Sequence, residues 1–165
     1  MGKLERMEET VLPQTQEGAG FEPVIVRQFT VFLENRVGRL QSLVRVLEES
    51  SARIAALAIE ESGDAALVRI ICSDADLGRQ VLRDSGFSFS ESELLAVELP
   101  RRTAEPLMAI CSALLTAEIN IHYAYPLLLW PRGPALVLYV EDRTLAARLL
   151  LKKGFNLIGE SDLRG

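Results

Sequence analysis

The stretch ALVRIICSDADLGRQVLRDSGF (residues 66–87) recurs in pattern as ALVLYVEDRTLAARLLLKKGF (residues 135–155). Each copy opens on an apolar run with the β-branched and aliphatic content of a strand. Each then meets an aspartate, Asp74 or Asp142, placed to accept from the first N–H groups of a helix. Leucines follow at matching places, Leu77 and Leu145. Each helix stops at a glycine followed by phenylalanine, Gly86-Phe87 and Gly154-Phe155, because glycine takes the left-handed conformation that ends a helix.

The correspondence extends outward in both directions. Upstream of the first copy, Val24 to Leu33 alternates as a strand, with Phe29, Val31 and Leu33 on one face. The turn Glu34-Asn35-Arg36-Val37-Gly38 leads into a helix with Leu40, Leu43, Val44 and Leu47 at i, i+3, i+4 and i+7. A strand from Arg53 to Glu60 and the turn Ser62-Gly63-Asp64 return the chain to Ala65. In the second copy a strand is expected over Leu94 to Leu99, then a helix with Leu107, Ile110, Cys111 and Leu114. Ile119-Asn120-Ile121 stands where the first copy has Ala52-Arg53-Ile54, and Gly159 to Leu163 stands where it has Ser90 to Leu94. Matched residues lie 67 to 69 apart throughout, which marks an internal repeat.

Each copy reads β-α-β-β-α-β. The expected fold class is α+β: two ferredoxin-like βαββαβ modules in tandem, each an antiparallel sheet with both helices on one face. The expected domains are a flexible tail at 1–22, a first module at 23–92 and a second at 93–165. A core of that size is marginal alone, and the open sheet faces and edges need a partner. A second module or a second chain can supply one, and self-association, most simply as a homodimer, is expected.

Composition narrows the function. The chain has 165 residues, 48% hydrophobic and 25% charged, with a net charge of −5. Basic residues are scattered among more numerous acids, against nucleic-acid binding. No apolar run reaches membrane-spanning length, and residues 1–20 lack the apolar segment of a secretory signal, so the expected location is cytoplasmic. Cys72 and Cys111 lie in apolar strand and helix patterns and are expected to be buried free thiols. His122 is the sole histidine, and no nucleophile–base–acid set surrounds it. No catalytic residue, metal ligand or cofactor is assigned. The acid pairs Glu48-Glu49, Glu60-Glu61 and Asp74/Asp76 are spread over different elements and read as caps and helix surface rather than an oxygen-rich metal site.

Two motifs carry a family resemblance. Leu33-Glu34-Asn35-Arg36-Val37-Gly38-Arg39-Leu40 resembles the ACT-domain junction, where an apolar strand meets an acidic or amide residue, a basic or variable one, often proline, then glycine and a helix with leucine two places on. Ile119-Asn120-Ile121 resembles the Asn-Ile that opens the second strand in that family. The resemblance covers nearly all of Val24 to Leu163 and implies a non-enzymatic, amino-acid-binding regulatory protein. The family includes stand-alone tandem proteins and regulatory parts of amino-acid biosynthetic enzymes such as the acetolactate synthase small subunit. Val37 departs from the frequent proline, and the second copy has Glu105-Pro106 in place of Gly38-Arg39.

The candidate ligand-binding set is therefore Glu34, Asn35, Arg36, Val37, Gly38, Arg39, Leu40, Asn120, Ile121 and His122. A helix N-terminus offers free N–H groups and partial positive charge to a carboxylate, and Gly38 lets the backbone come close. The alternative is an ordinary helix start with solvated arginines. The half-motifs are complementary between copies, which suggests one composite site, within a chain or between subunits. Tyr123 and Tyr125 are expected on the face of Ile119 and Ile121, either packing at an interface or lining a ligand. Trp130 is either a docking residue or local packing. The competing function is a scaffold that uses its sheet edges without a small ligand.

Overall fold

The computed structural model describes residues 20–34 and 36–165; the N-terminal tail assigned from sequence lies outside them as far as residue 19, as does Asn35. The elements are β1 (Val26–Glu34), α1 (Arg39–Glu48), β2 (Ile54–Ser62), β3 (Ala65–Cys72), α2 (Ala75–Asp84), β4 (Ser88–Glu98), α3 (Pro106–Leu115), β5 (Ile121–Pro126), β6 (Ala135–Val140), α4 (Arg143–Lys152), β7 (Leu157–Ile158) and α5 (Glu160–Leu163). The repeat signals act as read. The Asp74 carboxylate accepts from Leu77 N at 3.1 Å and that of Asp142 from Leu145 N at 2.9 Å. Gly86 and Gly154 take φ of 74° and 84°, and Phe87 and Phe155 donate back to Leu82 and Leu150.

The strands run in the order β2-β3-β1-β4-β6-β5, with β7 also on β4. Residues 88–94 of β4 pair with β1, and residues 95–98 pair with β6. One strand thus closes the first module and opens the second, and the boundary expected between residues 92 and 93 falls inside it. The first module shows β2-β3-β1-β4 and the second β5-β6-β4-β7, the order of a split β-α-β plan.

Three apolar layers result. Phe29, Val31, Leu33, Val68 and Ile70 face α1 and α2. Leu95, Val97, Leu138 and Val140 face α3 and α4. Between them the two open sheet faces meet, with Val26, Ala56 and Ile71 of the first module against Tyr125, Val137 and Ile158 of the second. The second copy supplies the cover that the first sheet lacks. Leu128 N donates to Ala55 O at 2.7 Å across the edges of β2 and β5.

Three sequence expectations need correction. First, Tyr123 and Tyr125 do not share a layer with Ile119 and Ile121. The isoleucines pack with α3 and α4, and the tyrosines lie between the sheets. The register shifts between Ile121 and Tyr123, where Ile121 pairs with Val140 but Tyr123 with Tyr139. The extra residue of this bulge turns the later side chains to the other face. The same shift occurs between Ile54 and Ala56, so the bulge itself is repeated. Second, Cys111 is exposed, while Cys72 is buried. Third, Leu107 is 54% exposed. The buried residues of α3 are Ile110, Ala113 and Leu114. Because α3 is apolar nearly all round, spacing alone could not show which stripe faces inward.

Candidate functional site

Gly38 is the N-cap of α1 with φ 86° and ψ −8°, a left-handed conformation that favours glycine. No side chain caps this helix, and its first turn carries no acidic residue. Ser42 N and Ser42 Oγ both donate to Gly38 O at 2.9 Å. Arg39 N, the first N–H of the helix, donates to Arg36 O at 3.2 Å, while no side chain caps the N–H groups that follow it. A Cβ at residue 38 would meet nothing within 4 Å, so the loop borders free space.

Around it, the Arg36 guanidinium pairs with the Glu34 carboxylate at 3.0 Å on the exposed surface. The Arg39 guanidinium lies 5.3 Å from the centroid of the Phe87 ring. Val37 is fully exposed and Leu40 is 37% exposed. The second module differs at the equivalent junction, where Glu105 is the N-cap and Pro106 the first helical residue.

Asn120 precedes β5, and its carbonyl accepts from Glu141 N at 3.1 Å. Ile121 packs on the α3–α4 core. His122 is exposed, its ring 5.4 Å from that of Tyr139. Beside Asn120 opens a cavity of about 630 Å³ walled by Glu118, Ile119, Tyr139, Glu141 and Asp142. Among the described residues, no hydrogen bond or ion pair joins residues 34–40 to residues 120–122 of the same chain. The two candidate segments differ in character: one is a helix N-terminus with two arginines, the other an asparagine beside acidic residues.

The acid pairs have local partners. Glu48 accepts from Ile54 N, Glu60 binds Arg69, and Asp76 binds Arg27 at 2.9 Å. Arg27 also forks onto both carboxylate oxygens of Glu160, at 2.6 and 2.9 Å, tying α5 to β1.

Sequence reasoning did not single out the buried polar cluster between the sheets. Gln28, wholly buried, donates to Tyr123 Oη at 2.8 Å and to Thr30 Oγ1 at 3.1 Å. The Arg69 guanidinium stacks 4.2 Å over the Tyr123 ring. The signal was present: Arg27-Gln28 interrupts an apolar strand, and such a glutamine, once buried, needs partners.

Residues 24–165 match the family model of the ACT domain pair. The chain belongs to this family. Among solved structures, the ACT domain pair described here is similar to protein BT0572 from Bacteroides thetaiotaomicron, with 25% identity and a TM-score of 0.77 over 86% of this chain and 97% of that one. It also shares its fold with the ligand-free regulatory subunit of aspartate kinase from Thermus thermophilus. There the identity is 11% and the TM-score 0.54, over 79% of this chain and 93% of that one. The corresponding subunit from Thermus flavus gives 12% and 0.50, over 79% and 93%. None of the curated proteins matches the sequence. Among the described residues, no helix is long and apolar enough to cross a membrane.

Proposed function

We propose that this ACT domain pair is a non-catalytic, cytoplasmic amino-acid sensor that controls an enzyme of amino-acid metabolism. The observation that carries the reading is the uncapped, left-handed Gly38 start of α1, open to solvent beside Arg36 and Arg39. An α-carboxylate suits the free N–H groups and positive end of that helix. The α-ammonium suits Asn120 and the neighbouring Glu118 and Glu141. Because no hydrogen bond or ion pair joins the two segments among the described residues, a second copy is one means of bringing them together. Exposed Val37 and Leu40 would then be covered by the partner.

Kinship supports the regulatory part of this reading, since a regulatory subunit of aspartate kinase shares the fold. A scaffold role is the second reading. It is favoured by the apolar outer face of α3, where Leu107, Met108 and Leu115 are 54%, 60% and 74% exposed. A thermal-shift screen against the twenty amino acids separates the two, because a ligand of the native state raises the melting temperature by mass action. A selective rise supports the sensor; a flat response to all twenty favours the scaffold.

A further inference from the structure

A second concave place lies in the other module, remote in sequence from Gly38. Three loops meet at one end of its sheet: the β4–α3 loop with Pro100, Arg101 and Arg102, the β5–β6 loop with Arg132 and Gly133, and the α4–β7 turn with Gly154 and Phe155. The sheet register brings them together, since Glu98 pairs with Ala135 and Leu99 N donates to Pro134 O at 2.9 Å. They enclose a cavity of about 450 Å³ into which Arg101, Arg102, Arg132, Glu98 and Asn156 all contribute.

The charges in this cavity are unbalanced. Glu98 is its one carboxylate. That carboxylate is already engaged by Trp130 Nε1 at 2.9 Å, Asn156 Nδ2 at 2.9 Å and Arg132 Nε at 3.2 Å. Arg101 and Arg102 form no ion pair among the described residues. The Arg101 guanidinium is seated close over Gly133: a Cβ there would fall 2.9 Å from Arg101 Nη2. This glycine, with φ 133°, lets the arginine of one loop lie on the backbone of another. An adjoining cavity of about 400 Å³ shares Pro100, Gly154 and Phe155 and adds Lys153. A protein of net charge −5 thus gathers several cations in one concave place, where the field on an anion is focused.

We propose that this cavity binds a compact polyanion, a phosphate ester or a polycarboxylate, as an effector separate from the amino acid at the Gly38 loop. Guanidinium groups hold either oxyanion by paired charge-assisted hydrogen bonds. Phe155 and Pro100 supply an apolar wall for the remainder of such a molecule. Glu98 keeps Arg132 and Trp130 in place.

The site carries its own reporter. Trp130 is the sole tryptophan. Its ring lies 4.8 Å from the Arg132 guanidinium, and its indole N–H is on Glu98. An anion that draws Arg132 toward itself changes the surroundings of that indole. The test is a tryptophan fluorescence titration of the full chain with inorganic pyrophosphate and, separately, with citrate, each against sodium chloride of equal ionic strength. A saturable change with either anion and none with chloride is expected, the tighter of the two naming the source. Arg101→Gln/Arg102→Gln, two exposed changes, should weaken it about tenfold or more, since hydrogen bonds to charged groups are lost. No saturable change with either anion, or equal affinity in the double variant, overturns the site. The Gly38 half-site is untouched by this variant, so amino-acid binding stays a separate readout.

Discussion

Tyr125 donates its phenolic O–H to Oε1 of Gln28 at 2.7 Å, joining β5 of the second module to β1 of the first across the layer between the sheets. Burial pushes the Tyr125 phenol above its ordinary value, with the neighbouring Tyr123 adding to the effect. The protonated phenol therefore donates through the neutral range. With Gln28 also bonded to Tyr123 and Thr30, the glutamine specifies how one sheet sits on the other.

Removing one side of that bond leaves the other buried and unpaired, at a cost of about 1–3 kcal/mol. Gln28→Leu should lower stability by about 2 kcal/mol, measured by urea unfolding. Combining Gln28→Leu with Tyr125→Phe should cost less than the sum of the two single changes, because the pair acts as a unit. Additive losses would show that the two side chains are energetically independent.

The carboxylates around α2 predict the response to acid. The hydrogen bond from Arg27, with its charge, holds Asp76 below its ordinary 3.8. The hydrogen bond from Arg79 likewise holds Glu91 below 4.5. A carboxylate whose value is depressed by folding stabilises fully above its unfolded value and loses that contribution as pH falls through the folded one. Stability should therefore be level above about pH 5 and decline below about pH 4. Glu91→Gln should flatten that decline in a series of melts; an unchanged acid slope would remove Glu91 from the account.

The two thiols should behave oppositely. Burial, reinforced by Asp74 and Glu48, pushes the Cys72 thiol up to about 12, whereas Cys111 lies on the exposed face of α3. The thiolate is the reactive form. One thiol per chain should react promptly with a disulfide reagent, and the second only on unfolding. Prompt labelling of both would mean that the α2 side of the first core opens readily; Gly78 is seated there so closely that a Cβ would fall 2.7 Å from Cys72 Sγ.

The outer face of α3 and the uncovered Gly38 loop bear on association. Sedimentation at micromolar concentration should show a dimer, and Leu115→Glu or Val37→Glu, whichever face is shared, should shift it toward monomer. A monomer at all concentrations would leave the two half-sites unassembled and remove the intersubunit form of the proposal.

Much of the architecture was legible because the chain states it twice. Asp74 and Asp142, and Gly86 and Gly154, mark the same helix start and stop in each copy, and local capping fixes such points with little help from tertiary contacts. What was not legible depended on long-range register. The repeated bulge at Ile54 and Ile121 reversed the facing of Tyr123 and Tyr125, and no alternation rule detects one extra residue. Arg36 and Gly38 could be placed on one loop from sequence, although Glu34 ends β1, paired with Ala65, and Trp130 is seen to be packed locally against Glu98 and Arg132. The Arg101–Arg132 cavity could not be read, because its loops meet only through the pairing of β4 with β6.

The sensor reading rests on Gly38. Gly38→Asp places a side chain and a negative charge where the ligand carboxylate would lie. At φ 86° the change also strains the backbone, by roughly 1–2 kcal/mol, so the melt of the variant is part of the measurement. The deciding measurement is calorimetric titration of wild type and Gly38→Asp with the amino acid selected by the thermal-shift screen, with a melt to confirm that the variant is folded. Saturable binding by wild type and none by the folded variant is the predicted result. Equal affinity in both would contradict the account and place the amino acid elsewhere on the molecule.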